Sequence, residues 1–143
     1  VYESQKKYMK NNLVKLGIDV RPEVREKFKK ACEDNNTNAS KVLKDFVNNY
    51  ISESEEKKME EMIKELKEEL LNKEMTLVEM DNTAQGITNC TEGIFDYLED
   101  CLAQNSVAYY ITEDKNIIVE FEVVKENDNA TKIEVKVTDI WED

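Results

Sequence analysis

Histidine is absent from this 143-residue chain, glycine occurs three times and proline once. The lack of histidine removes the usual acid–base side chain of neutral pH and the commonest metal ligand. It rules out Ser–His and Cys–His catalytic pairs. No glycine-rich phosphate loop is present: neither GxGxxG nor a P-loop can be written from these glycines. No apolar run approaches the length that spans a bilayer, and no apolar signal region is visible. The chain opens on Val1 rather than methionine, which leaves room for native residues upstream. Three cysteines, Cys32, Cys90 and Cys101, make an odd set with no CxxC pair, which suits a reducing cytoplasm. A separation of eleven positions between Cys90 and Cys101 would put both on one helical face, but two separate thiols are the simpler reading. The expectation is therefore a cytoplasmic protein that is not an enzyme, with no cofactor and no metal.

What is abundant is charge. Charged residues make up 36% of the chain and the net charge is −12. Few glycines and many Glu and Lys residues favour long solvated helices. The charge is unevenly spread. Residues 1–50 hold 11 Lys/Arg against 7 Asp/Glu, a net of +4, and residues 51–143 hold 9 against 25, a net of −16. Only the first fifty residues could seek phosphate, and such asymmetry between halves hints at a division of labour. Charge alone is equally compatible with an acidic protein that has one mildly basic end.

Residues 13–20 alternate. Leu16, Ile18 and Val20 fall on one side of a strand, and Lys15, Gly17 and Asp19 on the other. Pro22 then opens a helix that runs to Asn35, with Val24, Phe28, Ala31 and Cys32 as its apolar stripe. Cys32 reads as a small buried apolar residue. Asn35-Asn36-Thr37-Asn38 ends that helix, and Asn38 caps a second one from Ala39 to about Glu53. The second helix carries a broad stripe of Ala39, Val42, Leu43, Phe46, Val47, Tyr50 and Ile51. A lone short strand needs a partner, and none lies nearby in the sequence. A second copy of the chain, pairing across a two-fold axis, supplies one.

Strand, helix, turn and helix over residues 13–53 resemble the ribbon-helix-helix (MetJ/Arc-type) family of DNA-binding proteins. The resemblance covers less than a third of the chain. It implies a homodimer whose shared ribbon enters the major groove of double-stranded DNA. Its base-reading face would be Lys15, Gly17 and Asp19. Lys15 suits guanine O6/N7 and Asp19 suits cytosine N4. The family prefers longer polar or basic side chains, so Gly17 and Asp19 are departures. An alternative register places Arg21 at the edge of the face. The family's phosphate clamp would be Asn38, Ala39 and Ser40, with Lys41 close by; simple helix capping would use the same residues. Without histidine the chain does not look like the nickel-sensing members.

Residues 1–12 read as a flexible basic arm with Lys6, Lys7 and Lys10. Over 54–85, Met59, Ile63, Leu66, Leu70, Lys73, Leu77 and Met80 follow the 3–4 spacing of a coiled-coil seam, with Lys73 as its one polar member. The frame extends to Ala84 and Ile87. The alternative is a single amphipathic helix lying on the following domain. Asp81-Asn82-Thr83 to Gly86 looks like a broken joint. Residues 86–143 read as an acidic α+β unit. It has one helix over Thr91–Gln104 and a three-stranded antiparallel sheet of Val107–Thr112, Ile117–Lys125 and Thr131–Trp141. Such a unit is thin on core and is expected to dimerise, or to bind an effector or protein partner.

The fold expected is thus α+β: an amino-terminal ribbon-helix-helix, a central long helix or coiled coil, and a small helix-plus-sheet unit. The function expected is a dimeric or tetrameric DNA-binding transcriptional regulator, a repressor. The main alternative is a DNA-bound assembly protein, such as a plasmid partition adaptor or conjugation accessory factor, recruiting a partner through its acidic tail. An oligomeric scaffold that ignores DNA is a third. An antitoxin is less favoured, because the tail looks folded.

Overall fold

The structure is a computed structural model that describes residues 13–143; the expected basic arm at 1–12 lies outside the described residues. The chain divides between Asn49 and Tyr50 into two compact units.

In the first unit, residues 13–20 carry no regular secondary structure and are exposed throughout. The strand expected there has no partner among the described residues. Helix α1 (Pro22–Asp34) starts as the sequence predicts, with Pro22 at a position whose N–H has no helical partner anyway. Asn36 takes φ 54, a left-handed conformation that ends the helix. Helix α2 (Ala39–Leu70) follows, and it does not stop near Glu53 but continues for 32 residues. Glu and Lys occupy most positions in its second half, so nothing there breaks it. Of residues 13–49 only Cys32 is buried.

The second unit has one apolar core. Its sheet orders four strands as β1-β4-β3-β2, all antiparallel: β1 (Glu74–Thr76), β2 (Ser106–Thr112), β3 (Lys115–Lys125) and β4 (Glu134–Glu142). The expected sheet had three strands. The fourth, β1, comes from the segment assigned to the coiled coil. Helices α3 (Leu77–Thr88) and α4 (Leu98–Gln104) complete the unit, with a short 3-10 turn at Ile94–Asp96 before α4. The single helix expected over Thr91–Gln104 is therefore split, and Thr91 lies outside it.

The coiled-coil reading of 54–85 is overturned. Met59, Leu66, Leu70, Leu77 and Met80 are all buried in this core, together with Val107, Tyr109, Val119, Val135 and Val137; Ile63 packs against it from a half-buried position. A side chain already buried by its own sheet has no surface left for a seam. The same spacing serves the other reading, an amphipathic helix on the following domain. After Leu70 the backbone turns through Asn72 at φ 61. The Asn72 N–H then donates to the Val137 carbonyl at 2.8 Å, and the Val137 N–H donates to Lys73 O at 3.2 Å. Lys73 therefore sits in the turn into β1, not in a seam. Its Nζ donates to the Glu68 carbonyl at 2.9 Å.

Residues 81–86 are not a broken joint but the middle of α3. That helix starts at a reciprocal cap: Thr76 Oγ1 accepts from the Glu79 N–H, and a Glu79 carboxylate oxygen accepts from the Thr76 N–H. Among the described residues the left-handed ones are all asparagines: Asn36, Asn72, Asn89 and Asn105, one just beyond the end of each described α-helix. In a chain with three glycines, asparagine takes glycine's usual place there.

Candidate nucleic-acid interface

Lys15, Gly17 and Asp19 lie in the exposed, irregular stretch before α1. Nothing approaches Gly17 within 4 Å of where a Cβ would stand. The opposite side of the stretch is apolar and equally exposed: Leu16 is 81% accessible and Ile18 82%, with Val14 and Val20 beside them. Apolar residues of the two helices add to this surface. Val24 on α1 and Leu43 on α2 are about half accessible, and Phe46 is exposed too. So many exposed apolar residues within one short segment are uncommon on a protein that works alone.

At the start of α2, Asn38 Oδ1 accepts from the Lys41 N–H at 2.9 Å, and the Asn38 carbonyl accepts from Val42. Asn38 is thus the cap of this helix. Its side chain satisfies one of the first four N–H groups, whose partners cannot come from the helix itself. The N–H groups of Ala39 and Ser40 remain at the positive end of the helix dipole, where an anion is favoured. Lys41 and Lys44 are exposed, as are Lys15, Arg21 and Arg25. Among the described residues none of these cations is in an ion pair; the one pair found is Lys115–Glu142 in the second unit. The structure brings Asn38, Ala39, Ser40 and Lys41 together in one helical turn. Lys15, Gly17 and Asp19 fall together on one short irregular stretch.

The acidic unit holds what the sequence reading missed. Asp81 is buried on α3, and its carboxylate is fully occupied. Oδ1 accepts from Tyr109 Oη at 2.7 Å and from the Ile94 N–H at 3.0 Å, and Oδ2 accepts from Gln85 Nε2 at 3.2 Å. Gly93 stands against the same carboxylate and Gln85, where a Cβ would collide with both. Burial, with the Asp81 carboxylate alongside, pushes the Tyr109 hydroxyl far above the ordinary tyrosine range. Burial also raises the Cys101 thiol, helped by Asp100 and Asp81. Nothing in the spacing of Asp81 and Tyr109 announces their pairing. The visible signal was Thr76-Leu77-Val78-Glu79, a helix-start pattern that places Asp81 inside a helix. Cys90 and Cys101 do not share a helix: Cys90 lies between α3 and the 3-10 turn, and Cys101 on α4. Among the described residues no cluster could hold a metal ion, and no helix is long and apolar enough to cross a membrane.

Open clefts mark the second unit. One of about 830 Å³ is lined by Leu102, Asn105, Val123 and Ile133 with Glu122, Glu126 and Asp128 at its edge. Another, about 220 Å³, runs between α4 and β2, and a third, about 230 Å³, is lined by Asn89, Cys90, Thr91, Glu92 and Tyr110. No protein-family model matches this chain, and no curated protein and no solved structure is significantly similar to it.

Proposed function

We propose that this protein is a homodimeric, sequence-specific DNA-binding regulator, a repressor, whose amino-terminal ribbon enters the major groove. The observation that carries the reading is the exposed stretch at 13–20, apolar on one side and led by Lys15 on the other, followed directly by α1 and α2. Two copies pairing antiparallel through 13–20 would bury Leu16, Ile18 and Val20 against the helices and turn Lys15, Gly17 and Asp19 outward. The start of α2 on each copy would then hold a backbone phosphate through the Ala39 and Ser40 N–H groups and Lys41. The net charge of +4 over residues 1–50 supports this placement of the nucleic acid.

The acidic unit supports a second reading. With a net charge of −16 over residues 51–143, it suits a DNA-bound assembly protein that recruits another protein, as well as a regulator that answers to a partner or ligand. In either case the DNA-binding end is the same, and the free thiols of Cys32, Cys90 and Cys101 fit a cytoplasmic setting.

The test is fluorescence anisotropy of labelled duplex DNA against the full chain across a salt series. Affinity that falls steeply with salt, and falls further in Lys15→Ala on a preferred sequence, supports the reading. Affinity absent at low salt would leave only the scaffold.

A further inference from the structure

Residues 74–114 contain no lysine or arginine and nine carboxylates. This stretch supplies α4 and β2, so the strand and the helix beside it carry no cation, and Lys115, opposite Thr112 on β3, is ion-paired with Glu142. β2 is one edge of the sheet, because it pairs only with β3, and β1 is the other. Edge strands are ordinarily guarded by charges, prolines or a covering segment. Ser106–Thr112 has neither charge nor proline. Its register shows which groups are open. The Asn105 carbonyl accepts from the Phe121 N–H of β3 at 3.0 Å, so alternate peptide groups face β3. Those of Ser106, Ala108 and Tyr110 face away. The Tyr110 carbonyl is taken by the Cys90 thiol at 2.8 Å, which covers one end of the edge. The Ser106 and Ala108 groups are left.

Beside these open groups is the groove of about 220 Å³, whose walls include Tyr97, Asp100, Gln104, Ala108, Tyr110 and Ile118. Tyr97 and Tyr110 are 51% and 62% accessible. Tyr97 Oη donates to Glu92 at 3.0 Å, and that bond raises its hydroxyl above the usual range. Behind the groove, Ala108, Ile118 and Trp141 form one row across three strands, and Trp141 Nε1 donates to Glu120 at 3.2 Å.

We propose that this edge of the second unit docks an extended, arginine- or lysine-bearing segment of a partner protein, which adds to β2 at Ser106 and Ala108 and places a cation between Tyr97 and Tyr110. Edge backbone groups supply strand addition, and aromatic faces with Asp100 nearby supply the cation site. The charge selects the occupant. A second copy of this chain would bring an equally cation-free edge, whereas a basic segment meets complementary charge. The inference concerns Tyr50–Asp143 and does not depend on DNA binding.

The experiment titrates the isotope-labelled full chain with a blocked six-residue peptide alternating valine and arginine, followed by amide shifts and Trp141 fluorescence. The control peptide carries glutamate for arginine. Saturable binding of the arginine peptide is expected, with the largest shifts at 106–110 and 97–101 and none from the control. Tyr97→Ala/Tyr110→Ala, at exposed positions that leave the spectrum of the core unchanged, should weaken it at least tenfold. Shifts spread over the glutamates of α2 with affinity unchanged in that variant would overturn the proposal, as would no saturable binding. Concentration-dependent self-association abolished by Ala108→Pro would overturn it in favour of a second copy.

Discussion

Tyr109 Oη donates to Asp81 Oδ1 at 2.7 Å, tying α3 to the sheet between two buried residues 28 positions apart. Truncating one partner leaves the other inadequately satisfied in the core. Tyr109→Phe should therefore destabilise by about 1–3 kcal/mol in urea denaturation. The pair also sets a pH dependence. The hydroxyl ionises at higher pH in the folded chain than in the unfolded one, where the ordinary value is 10.0. Its contribution is complete below pH 10 and is lost as pH rises above it, because the unfolded state then releases a proton that the folded state keeps. Stability of the native chain should fall from about pH 10 upward, and Tyr109→Phe should flatten that fall. An unchanged alkaline slope in the variant would contradict the pairing.

The left-handed asparagines give a second prediction. Asn105 holds φ 54 just past α4, and its carbonyl accepts from Phe121. Asn105→Ala should cost about 1–2 kcal/mol, because a Cβ without a local polar side chain is strained there. Asn105→Gly should cost less than the alanine. Equal losses in the two variants would show that the side chain, not the backbone angle, matters.

The course of the chain after Leu70 separates the observed fold from a coiled coil. Lys73→Leu would raise stability if Lys73 lay in a seam. Placed in the turn into β1, with an exposed bond to Glu68, the substitution should change thermal stability by no more than about 0.5 kcal/mol. Leu66→Ala, in the same core, should cost about 2–5 kcal/mol at every protein concentration.

The proposed two-fold ribbon makes a prediction of its own. Ile18→Asp replaces a residue that is 82% accessible in the single chain, so it should leave the second unit intact. In a paired ribbon the same carboxylate would be buried and unpaired. Sedimentation should then show loss of the dimer with no change in Tyr109-centred packing. A dimer that survives Ile18→Asp would place the contact elsewhere.

Much of this fold is written in local chemistry, and the misreadings have physical causes. Pro22 and Asn38 mark the helix boundaries around the turn at 35–38, and the alternation of Val119, Phe121 and Val123 marks β3, because caps and two-residue periodicity act within a few residues. The heptad frame from Met59 to Met80 failed for a different reason. A 3–4 spacing specifies an apolar helical face but not what covers it, and here the chain's own sheet does. The frame also ran through Thr76-Leu77-Val78-Glu79, a helix start that should have stopped it. β1 is three residues long and forms only because β4 is there to pair with it. Asp81 and Tyr109 meet through tertiary structure, and no local pattern records that. Lys15 and Asn38 stand out in the sequence because they sit near strong boundary signals at Pro22 and the 35–38 turn. The strand expected at 13–20 has no partner among the described residues, and no local pattern supplies one.

The most direct measurement is selection of bound fragments from pooled random duplex DNA by the full chain at low and moderate salt, followed by sequencing. The account predicts an enriched repeated motif with two-fold or tandem half-sites, and affinity that falls steeply as salt rises. No enrichment and no salt dependence would contradict it, leaving the exposed stretch at 13–20 as a dimerisation element and the acidic unit as the place to seek function.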